Sequence, residues 1–287
     1  MNATLPHLSS WLPLLERALA EDLGSGDVTS NACLPAELVV EAEIEARSAL
    51  VVCGLEVAAA CFRAVDPRLE IALLRRDGEY VTGMAPLVRI AGSARSLFAG
   101  ERIALNFLGR LCGVASLTRR YVEAVSGTGA RILDTRKTLP GWRALDKYAV
   151  AVGGGTNHRF GLYDAVLIKD NHIAAAGGVG AAVKAARASA APHLAVQVEV
   201  ESLAQAEEAL QAGANMLLLD NRTPDELREY VARFGERVSL EASGGVNLAN
   251  VRSVAETGVH RISIGALTHS ASAADVALEV RTRKARA

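Results

Sequence analysis

Basic side chains crowd one stretch of this chain. From Asp134 to Ile173 it reads DTRKTLPGWRALDKYAVAVGGGTNHRFGLYDAVLIKDNHI and carries Arg136, Lys137, His158, Arg159, Lys169 and His172 beside several turn residues. Arginine offers a planar fork that matches a carboxylate or phosphate, and lysine offers a compact point charge, so a set of this kind suits a small polyanion. Further along, Glu199, Asp220 and Glu241 stand in or at the ends of apolar runs, where carboxylates need a cation or hydroxyl as partner. Two small, glycine-bearing segments follow, Ser243-Gly244-Gly245 and Ile264-Gly265-Ala266, whose backbone amides can cradle a phosphate. Each feature also has a plainer reading: Arg136 with Lys137, or His158 with Arg159, as solvated charges, Glu241 as a structural partner of a cation, and either glycine segment as a tight turn. Lys169 is harder to set aside, because an ammonium at the end of AVLI would be largely desolvated without an anion.

The elements that must carry these residues follow a repeating rhythm. The runs ARILDT, AVLIKD, AVQVEVE, MLLLDN, VSLEAS and RISIGA are continuously apolar and end in polar residues, as buried parallel strands do. Between them lie helical patterns such as VGAAVKAARASA, LAQAEEALQAG, PDELREYVARFG and LANVRSVAETG. Repeated βα units predict a barrel or partial barrel, with Thr135, Arg136, Lys137, Lys169, Glu199, Glu201, Asp220 and the two glycine segments at the mouth formed by the strand ends. Between the first two strands, WRALDKYAVAV predicts a helix stopped by Gly153-Gly154-Gly155. A doubly wound sheet is the alternative, but the triple glycine follows a helix and lacks the spacing of a dinucleotide fingerprint.

The first part of the chain reads differently. Leu14–Leu23 predicts an amphipathic helix and Gly24–Thr29 a loop. VVEAEIEAR predicts a strand, VAAACFRAV a short helix, IALLRRDGEYV a hairpin turning at Asp77-Gly78, and Gly100–Val125 a long helix. Together these make a small α+β domain. The whole chain has 287 residues, is 50% hydrophobic and has a formal net charge of −1, which excludes a global basic field for nucleic acid. The four cysteines, Cys33, Cys53, Cys61 and Cys112, show no metal-ligand spacing and read as reduced, buried fillers. No window offers a membrane span or a secretory leader, so a cytoplasmic location is expected.

In order along the chain, EDLGSGDVTS, DTRKTLPGWRALDKYAV, GGGTNHRFGLYDAVLIKDNHI, VEVES, LLLDN, EASGGV and SIGALTHS resemble the quinolinate phosphoribosyltransferase family, type II phosphoribosyltransferases of de novo NAD synthesis. The resemblance spans nearly the whole chain. It implies an N-terminal open α/β sandwich over residues 1–115, an incomplete TIM-like α/β barrel over 116–270, and a C-terminal helix over 271–287 that packs back on the first domain. It implies that Arg136, Lys137, His158, Arg159 and Lys169 bind the two carboxylates of quinolinate, joined by Arg102 from a neighbouring subunit of a homodimer or of a hexamer built from dimers. Thr135 completes that pocket. Glu199 and Asp220 are implied to hold the ribose hydroxyls and magnesium of phosphoribosyl pyrophosphate (PRPP), and Ser243, Gly244, Gly245, Ile264, Gly265 and Ala266 its 5-phosphate. Lys137, Lys169, Glu199 and Asp220 would be the catalytic set, and no organic cofactor, nucleic acid or membrane partner is expected. Three other readings compete: a Schiff-base aldolase through Lys169, a non-catalytic phosphate-sugar binder, and a related protein associated with molybdenum transport.

Overall fold

The computed structural model describes residues 3–284, which group by contacts into two compact units. The first comprises the chain up to Arg119, the segment Leu139–Gly154 and the segment from Ser270 onward; the second comprises Arg120–Thr138 and Gly155–His269. The boundary expected near residue 115 therefore lies a few residues later, and two pieces expected elsewhere belong with the first unit.

Unit one begins with helices α1 (Leu12–Leu23) and α2 (Val28–Cys33). The loop expected through Thr29 ends early, because the Asp27 carboxylate accepts from Ser30 N at 3.0 Å and caps α2. Strands β1 (Val39–Ala46) and β2 (Leu50–Val51), helix α3 (Leu55–Val65), strands β3 (Glu70–Leu73), β4 (Tyr80–Val81) and β5 (Ala85–Ser93), and the 31-residue helix α4 (Ala94–Ala124) follow. The last turn of α4 belongs to unit two. No hairpin forms at Asp77-Gly78: β3 pairs with β5, and β4 pairs with β2. The Asp77 carboxylate instead accepts from Gly54 N at 2.7 Å and Leu55 N at 3.2 Å, at the start of α3, and from the Tyr148 hydroxyl at 2.7 Å. A turn residue has become a helix cap.

Helix α5 (Arg143–Val152) was expected among the barrel helices, yet it belongs to unit one. The Trp142 ring stacks on Phe107 at 4.7 Å, and Arg110 lies over the same indole while pairing with the fully buried Asp146 at 2.9 Å. Gly153 lets α5 end against α4, since a Cβ there would fall 2.5 Å from Ala115 O. The C-terminal helix expected over 271–287 is also corrected. Residues Val276–Lys284 form strand β12, antiparallel to the whole of β1, and the sheet order is β12-β1-β5-β3. VALEVRTRK alternates with a period of two, and Arg281 pairs with Glu43 at 3.1 Å on the facing strand, which is a cross-strand pattern. The rest of the expected helix lies outside the described residues. Three cysteines of this unit are buried, and burial raises the Cys61 and Cys112 thiols to about 12, but Cys33 is exposed, contrary to expectation.

Unit two holds the parallel strands β6 (Arg131–Leu133), β7 (Val166–Ile168), β8 (Val196–Glu199), β9 (Met216–Asp220), β10 (Ser239–Ser243) and β11 (Arg261–Ser263). Between them run helices α6 (Asp170–Ala176), α7 (Val179–Ser189), α8 (Leu203–Gln211), α9 (Pro224–Phe234) and α10 (Val251–Ala255), and α11 (Ala266–His269) ends the unit. The strand order is β6-β11-β10-β9-β8-β7. In a doubly wound sheet the first strand would not pair with the last; here it does, and the sheet stays open between β6 and β7, so the unit is an incomplete α/β barrel. The chain is thus α/β, with an antiparallel sandwich unit and a barrel unit. Among the described residues no helix is long and apolar enough to cross a membrane.

Candidate active site

Every second residue of the barrel strands faces the interior. Leu167 and Lys169 on and after β7, Leu218 and Asp220 on β9, Glu241 and Ser243 on β10, and Ser263 with Gly265 at β11 all line one cavity of about 440 Å³, a size suited to a small ligand. The same cavity is lined by Thr135, Arg136, Lys137, His158, Arg159, Gly244, Gly245, Val246, Ile264, Ala266 and His269. Arg136, Arg159 and Lys169, which come from separate loops, therefore meet at one mouth.

Local hydrogen bonds explain how the loops arrive there. After β6, Thr135 Oγ1 accepts from Lys137 N at 3.0 Å and folds the turn that presents Arg136 and Lys137. The fully buried Asp134 carboxylate accepts from His158 N and from Asn157 Nδ2, both at 2.7 Å. Thr156 N donates to Ile132 O at 2.8 Å, so the Asn157-His158-Arg159 segment runs alongside β6 in the open part of the barrel. Lys137 continues across Gly265, where an added Cβ would come within 2.9 Å of its Cδ. The two tips are in direct contact.

His158 is held at both nitrogens. Arg159 N donates to Nδ1 at 2.7 Å, which leaves the ring proton on Nε2, and Nε2 faces Gln197 Oε1 at 3.1 Å and Glu241 Oε1 at 3.3 Å. This ring is a neutral strut between the floor and Arg159, not one of the cations the sequence suggested. Glu241 lies 1% exposed beneath it and also accepts from Arg261 Nε at 2.9 Å. Arg159 is pushed below its ordinary value by burial and then by the Arg136 guanidinium, with Asp164 acting the other way. It stays charged at neutral pH, so two like charges share the mouth and a doubly negative ligand would relieve them.

Other expected residues are placed less directly. The Lys169 side chain is half exposed rather than desolvated, and its Nζ lies 3.5 Å from Glu199 Oε2. Glu199 reaches the cavity only through that lysine. Glu201 lies beyond the end of β8 and is exposed, and His172 turns away to accept from Lys169 N at 3.1 Å, capping α6. Arg102 is exposed on α4 in unit one. The sequence reading missed Asp134, Asn157, Gln197, Asn221, Ser263 and His269; of these only Asn221, in LLLDN, and Asp134, in DTRK, carried a visible signal as polar residues closing an apolar strand.

Comparison with known proteins agrees with this geometry. Residues 27–112 match the family described as quinolinate phosphoribosyl transferase, N-terminal domain, and residues 114–279 match its C-terminal domain. A probable nicotinate-nucleotide pyrophosphorylase (carboxylating) of Bacillus subtilis (strain 168) is 40% identical over 267 residues, covering 93% of this chain and 92% of that protein. The nicotinate-nucleotide pyrophosphorylase (carboxylating) of Mycobacterium leprae (strain TN) is 44% identical over 272 residues, covering 93% and 95%. Among solved structures, the nicotinate-nucleotide pyrophosphorylase from Francisella tularensis superposes with a TM-score of 0.93 at 35% identity, covering 98% of this chain and 99% of that one. With both family domains matched in order and the barrel mouth assembled from the motifs that suggested it, the chain belongs to the quinolinate phosphoribosyltransferase family.

Proposed function

We propose that the barrel mouth is the site at which this chain, a pentosyltransferase of NAD biosynthesis, transfers the phosphoribosyl group of PRPP to quinolinate with loss of carbon dioxide, giving nicotinate mononucleotide and pyrophosphate. The observation that carries the site assignment is the convergence of Arg136, Lys137, Arg159 and Lys169 with Asp220 and both glycine-bearing loops on one cavity. Arg136, Arg159 and Lys169 bind the pyridine carboxylates, and His158 and Thr135 hold their loops in place. Asp220 binds the ribose hydroxyls, with Glu199 acting beside it through Lys169. Ser243 to Gly245 and Ile264 to Ala266 receive the 5-phosphate, and Lys137, lying across Gly265, bridges the two halves.

The reaction follows from charge. The pyridine nitrogen attacks the anomeric carbon, the bond to pyrophosphate breaks, and its electron pair leaves with that group. Positive charge that builds on the ribosyl carbon is tolerated next to Asp220, and alignment of two polyanions by fixed cations provides most of the rate. The ribosylated nitrogen is then cationic, so the adjacent carbon can keep the electron pair when its carboxylate departs as carbon dioxide, and that carbon is finally protonated. Magnesium would arrive on the pyrophosphate, whose charge it neutralises. Among the described residues no group of three or more acidic, histidine or cysteine side chains could cage a metal, so Asp220 and Glu199 fit an ion carried by the substrate better than a resident one.

The finer assembly belongs to the same proposal. The chain acts in the cytoplasm as a homodimer or as a trimer of dimers, with Arg102 supplied across the dimer interface. Incubation of the purified protein with quinolinate, PRPP and magnesium should release pyrophosphate and carbon dioxide. Nicotinate in place of quinolinate should give little product; a preference for nicotinate would show that the carboxylate beside the nitrogen is not being read.

A further inference from the structure

Among the described residues only Met84 and Asn221 combine a side chain with a left-handed backbone, Asn221 at φ +53°. That conformation costs on the order of 1 kcal/mol for most residues and is commonly left to glycine. Asn221 follows Asp220 at the end of β9, and three of its groups are engaged. Its backbone N–H donates to Ser243 O at 2.8 Å, tying the tips of β9 and β10. Its side-chain Nδ2 donates to Asp220 Oδ2 at 2.8 Å. Its Oδ1 fills the space beside Gly244, where an added Cβ would lie only 2.1 Å away, and Gly244 itself has φ +85°. A glycine at 221 would satisfy the turn without strain, so the turn alone does not explain the amide.

We propose that Asn221 is a positioning residue for PRPP: its amide fixes one oxygen of Asp220 so that the other faces the ribose hydroxyls, and it braces the Gly244 backbone that receives the 5-phosphate. The inference rests on the function stated above. It gives Asn221 no contact with quinolinate, whose cations lie on the β6 and β7 side of the mouth.

Steady-state kinetics with each substrate varied in turn separate this role from a merely conformational one. Asn221→Gly keeps the left-handed turn and should leave the fold intact, yet it should raise KM for PRPP about ten-fold, the range for losing a hydrogen bond to a charged group, with KM for quinolinate changed by less than about two-fold. Asn221→Asp keeps the shape but sets a second carboxylate against Asp220, and should raise KM for PRPP further. In an Asp220→Asn background Asn221→Gly should add little, because the two residues act as one unit. Wild-type kinetics in Asn221→Gly, an equal rise in both KM values, or full additivity with Asp220→Asn would overturn the proposal. If instead the wild-type protein makes no pyrophosphate from PRPP and quinolinate, it is the function and not the role of Asn221 that fails.

Discussion

Glu241 sits in the floor of the cavity almost wholly out of water. Burial works to raise its pKa, but the His158 hydrogen bond and the Arg261 guanidinium outweigh it and hold the carboxyl at about 2, against an ordinary 4.5. A folded value below the unfolded one means that the stability this group adds is fully present above about pH 4.5 and is lost as pH falls toward 2. The contribution is on the order of 3 kcal/mol. Glu241→Gln should therefore be less stable than wild type at pH 6 in urea titrations, and the gap should narrow by pH 3; a gap independent of pH would show that Glu241 carries no depressed pKa. At the rim the effect falls on binding instead. Lys169→Ala removes a cation and leaves Glu199 facing the anion site, so turnover at low quinolinate should drop by at least about ten-fold. Unchanged kinetics in that variant would remove the β7 tip from the site.

Elements set these residues by caps and close approaches more than by long-range pairing. In unit one the Asp77 carboxylate caps α3 at two backbone amides and takes the Tyr148 hydroxyl, joining α3 to α5. Asp77→Ala would strip the cap and leave a half-buried phenol to find another acceptor, costing about 2 kcal/mol. A thermal melt should show this as a lowered midpoint, whereas an unshifted one would mean that solvent replaces the carboxylate. The sequence signal at this spot, Asp-Gly between apolar runs, is the common mark of a hairpin. What decided otherwise was the nearby helix start, whose open amides compete for the same carboxylate. α5 shows the same limit: its apolar spacing predicts a helix, but the Trp142 and Asp146 contacts to α4 that assign it to unit one involve residues more than 30 positions apart.

At the scale of the whole molecule the open question is where Arg102 acts. It is exposed on α4, and the proposed assembly brings it to the site of a second copy. Mixing Arg102→Ala with Lys169→Ala, each inactive alone, should then restore about a quarter of wild-type activity, because half of randomly exchanged dimers are mixed and each holds one intact site of two. No recovery after verified exchange would show that the arginine serves its own chain or none. Such complementation requires that the variants exchange subunits, which native mass spectrometry can follow.

What the linear chain determined by itself was the barrel and the membership of its mouth. Strands that are apolar throughout and polar at their ends can only be buried along their length and open at one rim, so Thr135, Arg136, Lys137, Lys169, Asp220 and the two glycine segments could be read as neighbours. The tertiary structure decided the rest. Only folding shows that His158 is a neutral strut on Glu241 and Gln197, that Glu199 meets Lys169 before any ligand, that His172 caps a helix, and that 276–284 is a strand against β1. Each of these depends on which group comes within about 3 Å of which other, and a hydrogen bond between distant residues leaves no period in the sequence.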